Sequence, residues 1–301
     1  MTTTGAAAVS AAALGGVAAH AARDYKISLA AWSLHKAVFG KEMQNVDMPT
    51  RVRQEWDIEG LELVSTMMAP EHKKPFGEIK PYLDQLAKNA SDNKVKLLLV
   101  MVDDEGEIGA EEKEARKEAV TRHKKWLDVC EYLGCHSMRM NWHGAPREIV
   151  SDAKGLEEFV KRSEPGFADL CDYAAKKKLD VLIENHGGAS SDPAAMEKLF
   201  AAVKHPNFGT LPDFGNFPQG VDIYDGIDRL MKFALKAVSA KCHDFDDTTG
   251  DETKMDYPRL IANVVDTHNY HGFIGIEYEG DRLPEAEGIK RCKALLDKLK
   301  A

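Results

Sequence analysis

Four apolar runs in the second half of the chain each end in a side chain able to bind a metal ion or move a proton. They are Leu182-Ile183-Glu184-Asn185-His186, Leu211-Pro212-Asp213-Phe214, Lys241-Cys242-His243-Asp244 and Ile276-Glu277-Tyr278-Glu279. Two glutamates, one aspartate and one imidazole make a carboxylate-rich set, suited to a borderline-hard divalent ion more than to a thiolate-type zinc site. A single acid at the end of a strand as readily caps the next helix or sits solvated. Four in succession, at equivalent places, point to a shared centre. The two-residue period of a strand puts Glu277 and Glu279 on one face, with Glu277 nearer the strand body as the ligand and Glu279 in the rim.

Other polar residues fall near the same ends. Arg139, Asn141 and His143 share a face at the end of Ser137–Trp142 and suit substrate hydroxyls or an oxyanion; the plainer alternative is a salt-bridged Arg139 and a solvated His143. His186 follows Glu184 on the same face as a substrate contact or acid–base group, and Gly187 and Gly188 let the backbone turn closely around a ligand. Trp32 and His35 close the first run as an aromatic wall, or else as core and surface. With these, Lys241 and Glu279 complete the expected substrate contacts. Glu62 lies inside a strand, where an unpaired carboxylate is costly, so it is expected to pair with Arg139 or Lys241.

The elements that must position these groups are legible as short apolar or β-branched runs separated by amphipathic stretches. Strands are predicted near Lys26–Trp32, Leu61–Ser65, Val95–Val102, Ser137–Trp142, Asp180–Glu184, Phe208–Asp213, Ala237–His243 and Phe273–Glu279. The spacing leaves room for a helix in each gap, and right-handed crossovers then favour a single closed (β/α)8 TIM barrel, an α/β fold whose chemistry sits at the C-terminal strand ends. Glu111–Leu133 repeats apolar residues every three to four positions and closes at Gly134. Ser191-Asp192-Pro193 opens a helix over Ala194–Lys204. Pro165-Gly166 predicts a broken helix or two helices over Leu156–Lys178.

Residues 24–301 read as one domain. Residues 1–21, MTTTGAAAVSAAALGGVAAHA, carry no charged side chain and read as a cleavable export leader of Sec or twin-arginine type whose basic part is missing, with Ala19-His20-Ala21 as the cleavage pattern. The apolar stretch is short for a spanning helix, so no stable membrane anchor is expected, and the mature protein is expected to be periplasmic or otherwise exported. The 40 basic and 49 acidic side chains leave a formal charge of −9, which disfavours nucleic acid as a partner. Five scattered cysteines match no zinc framework and read mostly as buried free thiols.

Glu184-Asn185-His186-Gly187-Gly188, Leu211-Pro212-Asp213-Phe214-Gly215-Asn216, Ala240-Lys241-Cys242-His243-Asp244 and Gly275-Ile276-Glu277-Tyr278-Glu279-Gly280 together resemble the xylose-isomerase-like barrel superfamily. Within it they are most similar to the sugar phosphate isomerase/epimerase group, which also includes ketose 3-epimerases, inosose dehydratases and endonuclease IV. The resemblance runs from about Asp24 to the C-terminus. It implies one divalent ion, Mn²⁺ by preference with Mg²⁺, Co²⁺ or Zn²⁺ as alternatives, held by Glu184, Asp213, His243 and Glu277. It also implies that Glu184 and Glu277 exchange protons with the substrate carbon. Strand seven departs from the group, which often carries His-x-Lys-Asp where this chain has Lys241-Cys242-His243-Asp244.

The expected function is therefore a metal-dependent isomerase or epimerase abstracting a proton beside a carbonyl. Export favours a free sugar or keto-sugar over a phosphorylated intermediate as the small-molecule partner. The alternatives are a 3-keto-glycoside lyase or hydratase on the same barrel, and a non-catalytic sugar-binding barrel. An endonuclease IV-like enzyme would need further histidines and a basic groove. A homo-oligomer is compatible with the sequence.

Overall fold

The computed structural model describes residues 22–300; the expected leader, residues 1–21, lies outside them. Eight strands form one parallel sheet: β1 (Lys26–Ala30), β2 (Gly60–Val64), β3 (Lys96–Val102), β4 (Ser137–Met140), β5 (Asp180–Glu184), β6 (Phe208–Leu211), β7 (Ala237–Cys242) and β8 (Phe273–Tyr278). In space they run β6-β5-β4-β3-β2-β1-β8-β7. Strand β1 pairs with both β2 and β8, with Ser28 opposite Gly60 on one side and Gly275 on the other. The β6–β7 joint closes the circle through two isolated bridges, Thr210 with Ala234 and Asp213 with Ser239. The result is a nearly closed (β/α)8 barrel, as the spacing predicts.

The described residues include nine α-helices: α1 (His35–Phe39), α2 (Met48–Trp56), α3 (Phe76–Asp92), α4 (Lys113–Leu133), α5 (Ala153–Ala175), α6 (Pro193–Val203), α7 (Ile223–Met231), α8 (Tyr257–Ile261) and α9 (Glu285–Lys298). Helices outside and side chains inside cover both faces of every strand, which is why the strands read as continuous apolar runs rather than alternating ones. Gly134 ends α4 at φ 71°, a left-handed turn that glycine enters without steric cost. Asp192 opens α6, its carboxylate accepting from the Ala195 N–H at 2.8 Å.

Helix α5 corrects the expected break at Pro165-Gly166, because one helix runs through both residues. Its buried face, from Phe159 through Ser163 and Phe167 to Leu170 and Ala174, keeps its register across the proline. Pro165 itself is exposed. The proline thus lies off the packed face, and packing of the apolar face outweighs the local preference for a break.

No described helix is long and apolar enough to cross a membrane. All five cysteines are buried and free, as expected.

Candidate active site

The barrel interior is unusually charged for a buried space. Glu62, Arg139, Glu184, Asp213, Lys241 and Glu277 are all buried, and charges in such a place persist only when paired, hydrogen-bonded or neutralised. Glu184 ends β5, Asp213 follows β6 by two residues, and Glu277 lies on β8. One carboxylate oxygen from each lies within 4.8 Å of the others. Three converging carboxylates could hold a metal ion.

Each acid is fixed by neighbours. Glu184 Oε2 accepts from Nε of Arg139 and forms an ion pair with its Nη2, and its Oε1 accepts from Asn216 Nδ2 at 2.9 Å. Arg139 reaches Asp103 with Nη1 at 2.8 Å, and Asn141 Nδ2 donates to the same Asp103 oxygen at 2.7 Å. Asp213 lies beyond the end of β6, so a side chain replaces the ladder there. Asn185 accepts from the Asp213 N–H at 2.7 Å and donates to its carbonyl at 2.9 Å. The Gly215 N–H donates to Asp213 Oδ1 at 2.8 Å. Ser239 Oγ lies 2.6 Å from Asp213 Oδ2 and 2.8 Å from Glu277 Oε2. One hydroxyl proton cannot serve two ionised acids, so the pair of contacts calls for a proton on one of them.

Burial and charge push the acids apart. Burial, aided by the charge of Glu277, lifts the Glu184 carboxyl above the ordinary range despite Arg139. Burial also lifts Asp213, the more so beside Glu184 and Glu277. At Glu277 burial works in the same direction but is outweighed by the Lys241 ammonium and the Ser239 hydroxyl, which hold it below the ordinary value. Asp213 is thus the natural home for the proton that the Ser239 contacts require. His186 is lowered to about 4 by burial and by the nearby Arg139 charge, so its ring is neutral at pH 7.

Above the triad opens a cavity of about 690 Å³ lined by Trp32, Phe39, Asp103, Arg139, Asn141, His143, His186, Glu277 and Glu279, among others. Of the expected substrate contacts, Trp32, Arg139, Asn141, His143, His186 and Glu279 therefore reach one space. His35 stacks on Trp32, with ring centroids 4.6 Å apart, and places Nδ1 2.7 Å from the Trp32 carbonyl; it supports the wall rather than lining it. Lys241 is buried behind Glu277 and Glu279 and does not line the cavity.

His243 does not join the acidic cluster. It lies beyond the end of β7, with its backbone N–H directed to Glu252 Oε1 at 3.2 Å. Lys241, one pleat deeper and opposite Glu277 in the β7–β8 register, reaches the cluster instead. Its Nζ is 3.2 Å from Glu277 Oε1, 3.1 Å from Glu279 Oε1 and 3.9 Å from Asp213 Oδ2.

Glu62 also departs from expectation: its carboxylate meets neither Arg139 nor Lys241 but accepts from Ser28 Oγ at 2.6 Å, while Oε2 has no partner. Burial raises it to about 8, so it is mostly protonated at neutral pH. Neutralisation, rather than pairing, makes its burial tolerable.

Sequence reasoning missed Asp103, Asn185, Asn216 and Ser239. Asp103 ends the third apolar run and meets the same strand-end criterion that singles out Glu184. The other three carry no signal beyond being small and polar.

No curated protein matches the chain. Among solved structures, it is similar to a D-tagatose 3-epimerase-like protein at 14% identity, over 91% of this chain and 96% of that one, with a TM-score of 0.66. It is similar to 3-keto-D-glucoside 4-epimerase from E. coli at 13% identity, over 85% and 95% of the two chains, with a TM-score of 0.67. A probable 3-DHS dehydratase from Bacillus anthracis shows 16% identity over 90% and 98%, with a TM-score of 0.66. At these identities the likeness is one of fold. The family model described as xylose isomerase-like TIM barrel matches residues 52–299, from α2 to the end of α9. With strand order, strand-end acids and family model in agreement, the chain belongs to the xylose isomerase-like TIM-barrel family.

Proposed function

We propose that this barrel is an isomerase or epimerase that moves a proton at a carbon beside a carbonyl in a free sugar or keto-sugar. The observation that carries the reading is the pair Glu184 and Glu277, two converging buried carboxylates displaced in opposite directions from the ordinary value. Such a pair divides into a proton holder and a proton acceptor. Glu277, held ionised beside Lys241 and facing the cavity, takes the proton from the substrate carbon. Glu184, biased toward its protonated form, returns one from the strand-five side. Arg139 keeps Glu184 oriented and presents positive charge to the cavity wall. Neutral His186 and Asn141 hydrogen-bond hydroxyls, and Trp32 offers an apolar face to the sugar ring.

A divalent ion on Glu184, Asp213 and Glu277, manganese by preference, would supply Lewis-acid polarisation of the carbonyl when bound. His243 would complete that set only by moving inward from its place beyond β7. Export of the mature protein remains part of the reading and favours an unphosphorylated substrate.

The test is incubation with a panel of ketoses and 3-keto-glycosides in D₂O, followed by NMR. Solvent deuterium should enter at the carbon beside the carbonyl, and Glu184→Gln or Glu277→Gln should abolish turnover while sugar binding partly survives. Product formed without deuterium, with rapid exchange of the enzyme's carboxyl proton shown separately, would refute the proton-transfer reading. Elimination on a 3-keto-glycoside begins with the same abstraction and is recognised by departure of a leaving group from the next carbon.

A further inference from the structure

We propose that Lys241 is a cation built into the acidic cluster, on the strand from which the resemblance implies a fourth metal ligand, and that it opposes binding of a divalent ion by the triad. Strand β7 directs Ser239 and Lys241 toward the barrel interior, and its register sets Lys241 directly opposite Glu277. The ammonium lies between Glu277 Oε1 at 3.2 Å and Glu279 Oε1 at 3.1 Å, with Asp213 Oδ2 at 3.9 Å. An ammonium has no lone pair, so it pairs with carboxylates by charge but cannot ligate a metal. The resemblance implied an imidazole from strand seven; the structure delivers a positive charge.

Two features show that the lysine's place is built. A Cβ at Gly215 would stand 2.8 Å from Lys241 Cδ and 3.0 Å from its Cγ, so the missing side chain there is what lets the lysine stem pass. Glu279, on the rim and partly exposed, gives the ammonium a second carboxylate away from the triad. A divalent ion can then enter only if Nζ leaves Glu277 and Asp213 for Glu279. Charge leads to the same conclusion. Arg139 beside Glu184 and Lys241 beside Glu277 each offset part of the carboxylate charge that would draw a third cation in.

The inference takes from the proposed function only the triad as the place where charge is handled, and its test measures binding without turnover. Metal-stripped protein is titrated with Mn²⁺ at pH 7.5 while free Mn²⁺ is followed by electron paramagnetic resonance. Lys241→Met, which keeps the stem and removes the charge, should bind Mn²⁺ at least about ten-fold more tightly than the parent. Equal or weaker binding by a folded Lys241→Met protein would overturn the proposal. Glu279→Gln supplies a second measurement if that variant fails to fold. Removing the alternative partner confines the ammonium to Glu277 and Asp213, so Mn²⁺ affinity should fall several-fold below the parent, and unchanged or tighter binding would overturn the proposal. Deuterium exchange by the parent in excess chelator reports separately on the proton-transfer reading.

Discussion

Glu62 turns the interior of this barrel into a pH-dependent element of stability. The carboxyl is fully buried, its value is raised from 4.5 to about 8, and a glycine, Gly275, stands where any Cβ would come within 2.4 Å of its Oε1. The fold thus holds a proton that the unfolded chain gives up above pH 4.5. Where the native state binds the extra proton, stability falls as pH rises. Each pH unit in that window weakens the fold by about 1.4 kcal/mol, so from pH 4.5 to pH 7 the penalty grows to roughly 3 kcal/mol. Glu62→Gln keeps the shape and an oxygen to accept from Ser28 but has no proton to lose. In urea denaturation, parent and variant should be close in stability near pH 5, and the variant should lead by roughly 3 kcal/mol at pH 7 and by more at pH 8. Parallel stability curves across that range would refute the assignment of a buried protonated acid.

Arg139→Met should cost about 3–5 kcal/mol, because it strips Asp103 and Glu184 of the guanidinium they share; a loss under about 1 kcal/mol in the same denaturation assay would show that this guanidinium does not hold the two acids in place. Expression behind an added basic N-terminal segment should yield exported protein trimmed close to Ala21, as read by intact mass, whereas retention of Met1 on exported protein would refute the expected leader.

The fold was legible because a parallel barrel buries its strands on both faces, so each appears as a largely apolar run, and because ligand-type side chains gather toward the C-terminal ends of the later runs. Glu184, Asp213 and Glu277, which the structure brings together, stand out by that criterion. The strand-seven position does not, for a definite reason. His243 and Lys241 have the same strand parity, and which one reaches the triad depends on how far β7 is shifted along β8, a relation between two strands that neither sequence segment contains. Depth is the second quantity the sequence hides. Glu62 reads as an acid in need of a cation, yet its place beneath the triad, beside Ser28 and Gly275, makes neutralisation the cheaper solution. The same blindness to packing explains α5, where one glance at Pro165 predicts a break that its exposed position makes unnecessary.

The joint between β6 and β7 gives the acidic cluster a mechanical role. Elsewhere neighbouring strands are laced by ladders of three or more paired residues, but here closure rests on a few main-chain bonds, among them Ser239 N–H to the Pro212 carbonyl at 2.8 Å and Phe214 N–H to the Ser239 carbonyl at 3.1 Å. Asp213 and Ser239 supply a side-chain bond across the same joint, and Asn185 pins Asp213 from the β5 side. The acids that handle charge are therefore also the clasp of the cylinder. A change of protonation or occupancy at Asp213 alters how firmly the wall is fastened, and amide hydrogen exchange along this joint would report on the chemical state of a centre that lies at its upper end.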